Sequence, residues 1–320
     1  MLNHASYRLI ESMSKSPSSD GHPSLGTRQS HVEGALVLDA GIHVPGSLEA
    51  GLIVSRVCLG DAATVSLVPE NEALMASDLG VMVRTDQPVL ACLGGQYAGW
   101  PVTAGKYFAM GSGPMRMVRG REPMLLELGL KEAATMVAGV LESTEIPTSD
   151  AIKSIATDTQ VRTDQIALVV APSGSLVGSI QVVARSIETA MHKLHALKFD
   201  VRRVFSAVGV APVPPPAKPS DVIGGIGRTN DAMLYGGRVT IWVDCEQADV
   251  DAVAEAVPSG SSKDYGRPFA AIFKDYEYDF YKVDPHLFSP AVVIIINRRT
   301  GIARRFGSIN TDVLRQSFYA

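Results

Sequence analysis

The stretch QIALVVAPSGSLVGSIQVVARSIETAMHKLHALKF, Gln165 to Phe199, says most about this chain. Ile166–Ala171 is a short, unbroken apolar run, the pattern of a strand covered on both faces. Pro172-Ser173-Gly174-Ser175 breaks the chain and supplies hydroxyls that cap a following helix. Beyond it Ile180, Val183, Ile187, Met191 and Leu194 recur at helical spacing, which predicts one long helix over 176–197. Arg185, Glu188, His192 and His195 recur in steps of three, four and three on the opposite face. A solvated helix face shows the same spacing, so periodicity alone gives them no role.

Working outward, strand, turn and helix signals alternate through the second half. A helix is expected at Thr148–Asp158, capped by Thr148 or Ser149. A strand follows at Val204–Val210, then the rigid connector APVPPPAKP (Ala211–Pro219), then a helix from near Ser220 to Leu234. Arg238–Val243 reads as a strand, and Gln247–Val257 and Arg267–Asp275 as helices. A hairpin runs from Ala291 to Phe306 and turns at Arg299-Thr300-Gly301, and a last helix begins near Asn310. The first half opens with a helix around Tyr7–Met13 and a polar loop. Apolar runs then follow at Ala35–Leu38, Leu52–Leu59, Thr64–Val68, Val81–Val83 and Val89–Leu93, divided by glycine turns and read as strand-rich. Within Glu132–Leu141, alternating β-branched positions favour strand over helix. The expectation is an α/β (α+β) fold with a two-lobed subunit and an active-site cleft between the lobes. Residues 1–144 form a strand-rich N-terminal lobe. Residues 145–320 form an alternating strand/helix C-terminal lobe that carries the long helix. The boundary is approximate, and the lobes are free to interleave.

Composition bounds the function. At 320 residues the chain buries a sizeable core, and its 46% hydrophobic content is that of an ordinary α/β protein. A formal net charge of −4 offers nucleic acid no whole-molecule attraction. Cys58, Cys92 and Cys245 are far apart, odd in number and set in apolar text. They suggest buried thiols rather than disulfides or a zinc site, so a reduced, cytoplasmic setting is expected. No apolar stretch approaches the roughly 20 residues that cross a bilayer, so no membrane partner is expected.

Several groups of residues could carry chemistry. Arg185 and Glu188, at i and i+3, share a helix face, so the guanidinium can orient the carboxylate; the bland alternative is an exposed pair worth at most about 1 kcal/mol. His192 and His195 lack a third ligand, and no metal site is expected. The turn from Ser173 through Ser175 leads from strand to helix, a geometry suited to anions, but it is neither a Walker loop nor a dinucleotide fingerprint. In Gln96–Pro114, Lys106 can supply charge, while Ser112 and Gly113 can bring backbone amides close to a ligand. Asn230 and Asp231 either cap the helix that starts there or read the edge of a polar heterocycle.

Four phrases carry a resemblance: DAGIHVPGSLEAG (Asp39–Gly51), QYAGWPVTAGKYFAMGSGP (Gln96–Pro114), APSGSLVGSIQVVARSIETAMHKL (Ala171–Leu194) and GRTNDAMLYGGRVTIWVD (Gly227–Asp244). In wording, order and overall length the chain resembles the methenyltetrahydromethanopterin cyclohydrolase family. The resemblance implies reversible hydrolysis of the 5,10-methenyl bridge of methenyl-tetrahydromethanopterin, or of its dephospho form, to the 5-formyl derivative. It implies no metal and no nucleotide, a pterin substrate, and a homotrimer. It maps the family's catalytic arginine and glutamate onto Arg185 and Glu188. The chemistry agrees, because a carboxylate beside a delocalised amidinium can hold the cation, position water and accept its proton. Lys106, Ser112, Gly113, Ser173, Ser175, Asn230 and Asp231 are the expected binding residues. The competing reading is a non-catalytic pterin-binding or scaffold subunit of a one-carbon enzyme complex. A dehydrogenase is disfavoured by the missing dinucleotide fingerprint.

Overall fold

A computed structural model describes residues 1–15, 18–19, 22–23, 25–70, 78–218, 221–280 and 282–319. The chain divides into two compact units, each assembled from separate stretches of sequence. The first comprises Met1–Ala63 and Leu90–Gln181, and the second Thr64–Val89 and Val182–Ala320.

The first unit begins with α1 (Leu2–Ser14) and a short antiparallel pair, β1 (Ser18–Ser19) and β2 (His22–Pro23). The orphan amides of Leu2 and Asn3 at the start of α1 both donate to the Glu132 carboxylate, at 3.1 Å. The unit's sheet contains β3 (Arg28–Val32), β4 (Ala35–Asp39), β7 (Trp100–Ala104), β8 (Tyr107–Ser112), β9 (Val137–Glu142) and β10 (Ile166–Val170). Their order is β3-β4-β10-β9-β8-β7. The central strands β4, β10 and β9 run parallel and are buried on both faces, which is why they read as unbroken apolar runs. Helices cover both faces. On one side α1 and α2 (Leu48–Cys58) build a core around Ile10, Leu38, Val54, Val140 and Val169. On the other, α5 (Ser149–Thr159) packs Ile152 and Ile155 with Val37, Val102 and Leu168. The unit also holds two short helices, α3 (Met115–Arg119) and α4 (Pro123–Leu128), and all but the first residue of a π-helical segment, Val89–Gln96.

The second unit is built on β5 (Thr64–Pro69), β6 (Leu79–Thr85), β11 (Val204–Pro212), β12 (Arg238–Val243), β13 (Val292–Asn297) and β14 (Ala303–Gly307). Their order is β14-β13-β12-β11-β6-β5. Among the described residues of this unit only β12 and β13 pair parallel. Helix α6 (Leu176–Val183) carries the chain from one unit into the other, and α7 (Ser186–Ala196) packs on β11 and β12. Further along come α8 (Val222–Gly236), α9 (Gln247–Asp251), α10 (Phe269–Asp275) and α11 (Thr311–Phe318); α8 packs against both α10 and α11. Phe269, Phe273, Phe280 and Phe288 form an aromatic cluster, with neighbouring ring centroids as close as 4.4 Å.

The expected mixed α/β class with two sheet-based lobes is what the chain forms, but the sequence boundaries differ. A division at 144/145 would part β9 from β10, which pair over five residues of one sheet. Residues 64–85 supply two strands to the second sheet through the pairing of β6 with β11. Leu52–Leu59 is helical rather than extended: Ser47 caps it by accepting from Ala50 N at 3.1 Å, Glu49 sits in its first turn, and Val54, Val57 and Cys58 face the core. Val89–Leu93 is the π-helical segment. The single helix expected over 176–197 is two helices. At Arg185 φ is −86° and ψ is 8°, its amide turns back to Val182 O at 3.0 Å, and α7 starts afresh at Ser186. The polar loop expected after α1 falls largely outside the described residues, as do Pro219 at the end of the proline connector and Ser220.

Candidate active site

Arg185 and Glu188 sit at the start of α7. Arg185 is its N-cap and Glu188 lies in its first turn, where the unpaired amides favour a negative charge. Both side chains are buried, at 7% and 5% exposure. They are therefore not the solvated pair that spacing alone allowed. The opposite face is set by close packing: Ser186 and Ile187 lie directly over Gly209 of β11, where no larger residue fits. His192 and His195 on the same helix are half-buried. Among the described residues no group of three or more His, Cys, Asp or Glu side chains is placed to hold a metal ion.

In the first unit, strand register locates the remaining candidates. Asp39, Val170, Leu141 and Gly111 form one row across β4, β10, β9 and β8, at the carboxyl ends of the parallel strands. Such an edge is where open α/β sheets hold ligands. Ser173 and Ser175 follow immediately after β10. Ser173 is buried, and its carbonyl accepts from Ser179 Oγ at 3.4 Å. Ser175 Oγ donates to Pro172 O at 2.8 Å and accepts from Gly178 N at 3.0 Å, so it caps α6 as the sequence suggested. Lys106 is exposed on the two-residue turn between β7 and β8, beyond the same carboxyl edge. Ser112 lies six positions further on, about 20 Å along a strand, so these two candidates occupy opposite ends of β8.

Ser112 lies one row inside the edge, buried, with its hydroxyl 3.5 Å from Cys58 Sγ. Gly113 has φ +96°, and a Cβ there would come within 2.9 Å of the Gly139 Cα. Its glycine is thus demanded by the approach of two backbones, and its amide donates to Gly95 O at 2.9 Å rather than to an open surface. In the second unit, Asn230 and Asp231 lie in the middle of α8, not at its start; Asp221 caps that helix by accepting from Gly224 N at 2.7 Å. Asn230 Nδ2 donates to Ile226 O at 2.8 Å. Asp231 is fully buried, and its carboxylate accepts from Phe269 N at 2.7 Å, capping α10 from a neighbouring helix. Burial pushes the Asp231 carboxyl up to about 7, against the opposing pull of the Ser317 hydroxyl and the Phe269 amide. This position holds helices together, and the heterocycle-reading role expected of it is not supported by its surroundings.

Two residues with evident work escaped the sequence reading. Arg116 is fully buried; it pairs with Glu122 through two nitrogens and donates to the carbonyls of Leu93, Gly94 and Gly95. His43 is fastened to the buried carboxylate of Asp39. Neither lies on a periodic face, so only their partners reveal them. A cavity of about 350 Å³ in the second unit, lined by Arg202, Arg203, Phe205, Asp244, Arg298 and Arg299, contains none of the candidates.

The family model described as Cyclohydrolase (MCH) matches residues 2–318. A methenyltetrahydromethanopterin cyclohydrolase of Rhodopirellula baltica is 59% identical over 290 residues, covering 90% of this chain and 87% of that protein. Proteins of the same name from Methylobacterium nodulans and Methanocaldococcus jannaschii are 43% and 40% identical, each covering 89% of this chain and 88% of its relative. The chain is thus an enzyme of the cyclohydrolase class, a hydrolase that opens a ring at a carbon–nitrogen bond. Within that class it belongs to the methenyltetrahydromethanopterin cyclohydrolase family.

Proposed function

We propose that the chain hydrolyses the 5,10-methenyl bridge of methenyl-tetrahydromethanopterin, or its dephospho form, to the 5-formyl product, with Glu188 and Arg185 as the reacting pair. The bridge carbon carries a positive charge shared with two nitrogens. Glu188 holds that charge, positions a water and takes its proton, while Arg185, three residues before it, aims the carboxylate. At about 4 Å and an effective dielectric of about 20, the attraction between carboxylate and cation is roughly 4 kcal/mol before desolvation. The observation that carries the reading is the burial of both side chains at the break between α6 and α7, with Glu188 in the first turn of a helix.

The proposed substrate-binding residues are Lys106, Ser112, Gly113, Ser173 and Ser175 in the first unit and Asn230 in the second. Turnover requires neither metal nor nucleotide in this reading, and the working form is a cytoplasmic homotrimer. A non-catalytic scaffold is not favoured, since it gives a buried arginine–glutamate pair nothing to do.

Glu188→Gln tests the proposal. It preserves size and most hydrogen bonds but removes the charge and the proton acceptor. Turnover, followed by bleaching of the methenyl chromophore, should fall about 10²–10⁴-fold, equivalent to roughly 3–5 kcal/mol of barrier. A folded variant that keeps more than about a tenth of wild-type turnover removes Glu188 from the mechanism.

A further inference from the structure

One end of the second sheet gathers charge that the ring-opening reaction does not use. Strands β12 and β13 run parallel, and Asp244 and Arg298 follow directly on their carboxyl ends. Strand β11 runs against β12, so its amino end lies at the same edge. There Arg203 O accepts from Asp244 N at 3.0 Å, and Val243 O accepts from Arg298 N at 2.9 Å. These bonds set Arg203, Asp244 and Arg298 side by side across three strand ends. The cavity of about 350 Å³ opens here, lined also by Arg202, Phe205 and Arg299. All six residues belong to the second unit. Carboxyl ends of parallel strands are where open sheets bind ligands, and the volume is that of a small-molecule site.

The four guanidiniums face three carboxylates, which leaves a positive charge over. Asp200 accepts from Arg202 at 2.8 Å, Asp244 bridges Arg298 and Arg299, and Glu246 takes the other side of Arg299. Hydrogen bonds from these arginines hold the Asp200 and Asp244 carboxyls below the ordinary carboxylate range. All four arginines are exposed, so their pairs add little to stability. Arg203 and Arg298 are the least engaged. Arg203 Nε is 3.5 Å from Asp200 Oδ2, beyond a usual hydrogen bond, and Arg298 reaches Asp244 through a single Nη. Arg298 rests instead on Phe205, its Cζ 5.3 Å from the ring centre, and Phe205 itself stays 39% exposed. The backbones of Arg203 and Arg298 are two strand spacings apart, about 10 Å, with the Asp244 strand end between them.

We infer that this cavity binds a small phosphorylated anion, with Arg203 and Arg298 taking phosphate oxygens and Phe205 backing the rest of the molecule. A guanidinium fork matches phosphate through paired N–H donors and keeps its charge at every physiological pH. Asp244 does not oppose the anion, because its own charge is met by Arg298 and Arg299. The exposed ring beside the forks favours an ester that carries a planar group, such as a nucleoside phosphate, over a bare phosphate. The lining residues include none of those proposed for the ring-opening reaction.

Isothermal titration calorimetry of the full-length protein at low ionic strength tests the assignment, with inorganic phosphate, pyrophosphate and adenosine diphosphate as probes. Adenosine diphosphate should bind saturably, and more tightly than either ring-free anion. Arg203→Gln and Arg298→Gln should each weaken pyrophosphate and adenosine diphosphate about tenfold or more, the weight of a charged hydrogen bond. Phe205→Leu should weaken adenosine diphosphate alone. Arg162→Gln removes an exposed arginine from the first unit and should leave binding unchanged. Melting temperature and turnover without added anion should hold in all four variants, and either cavity arginine decides the matter if the other variant fails to fold. No saturable heat from any probe at millimolar concentration overturns the inference. So does binding that Arg203→Gln and Arg298→Gln leave intact, or that Arg162→Gln weakens as much. If pyrophosphate binds as tightly as adenosine diphosphate and Phe205→Leu changes nothing, the phosphate site stands and its occupant is ring-free.

Discussion

Arg116 shows what a fully buried charge demands. Its guanidinium has two bonds to Glu122 and three to carbonyls, and its Cζ stands 5.0 Å from the centre of the Tyr97 ring. Arg116→Met leaves the Glu122 carboxylate without its counter-ion and takes one donor from each of three carbonyls, of which Gly95 O keeps the Gly113 amide. Removing one partner of a buried pair typically costs about 3–5 kcal/mol, and chemical denaturation should register a loss of that size. A change under about 1 kcal/mol would mean that water replaces the guanidinium at little cost. At this scale the sequence was legible only where motif or spacing spoke. Arg185 and Glu188 stood out through both, and Ser175 through its place after a strand. Arg116 and His43 are defined by partners that the fold alone brings to them. Asp231 stood out as a ligand contact because a carboxylate in polar text carries no mark of what will bury it.

Among the elements, α7 depends on the bare backbone of β11. A Cβ on Gly209 would meet Ser186 Oγ and come within 2.9 Å of Ile187 Cγ1, the residues on either side of which are Arg185 and Glu188. Gly209→Ala should cost about 1–3 kcal/mol of stability and lower turnover by more than the melting shift explains. Unchanged kinetics in a destabilised variant would show that α7 moves without disturbing its first turn. The joint of α8 with α10 makes a prediction about pH. The Asp231 carboxyl holds its proton up to about 7 when folded, against 3.8 ordinarily. Between those values the native state binds more protons than the unfolded one, so stability falls as pH rises from about 4 to about 7. Asp231→Asn keeps an acceptor for Phe269 N and cannot ionise. Its melting temperature should gain on wild type steadily across that range, and a constant difference would contradict the assignment. Strands buried on both faces and helices with side-chain caps were legible in the sequence. The break at Arg185 was not, since neither glycine nor proline marks it and it shows only as ψ near zero. Leu52–Leu59 misled because its β-branched residues suit a strand locally, whereas the Ser47 cap and the packing against α1 make it a helix.

For the whole molecule, exhaustive dialysis against a chelator, with no nucleotide added, should leave turnover intact. Stoichiometric zinc whose removal stops the reaction would reverse that expectation. A fragment of residues 1–144 should not fold, because β10 lies between β4 and β9 at the centre of the first sheet and is missing from it. A cooperative melt of that fragment would refute the topology.

The same interleaving has a cost during synthesis. Strand β6 leaves the ribosome early but pairs on its inner side with β11, which starts roughly 120 residues later. At about 5–20 residues per second the nascent hairpin of β5 and β6 waits some 6–25 s with one edge open. Val81 and Val83, buried in the finished protein, stay uncovered on that edge meanwhile. Slow translation or a shortage of chaperone should therefore reduce the yield of this enzyme through its early hairpin.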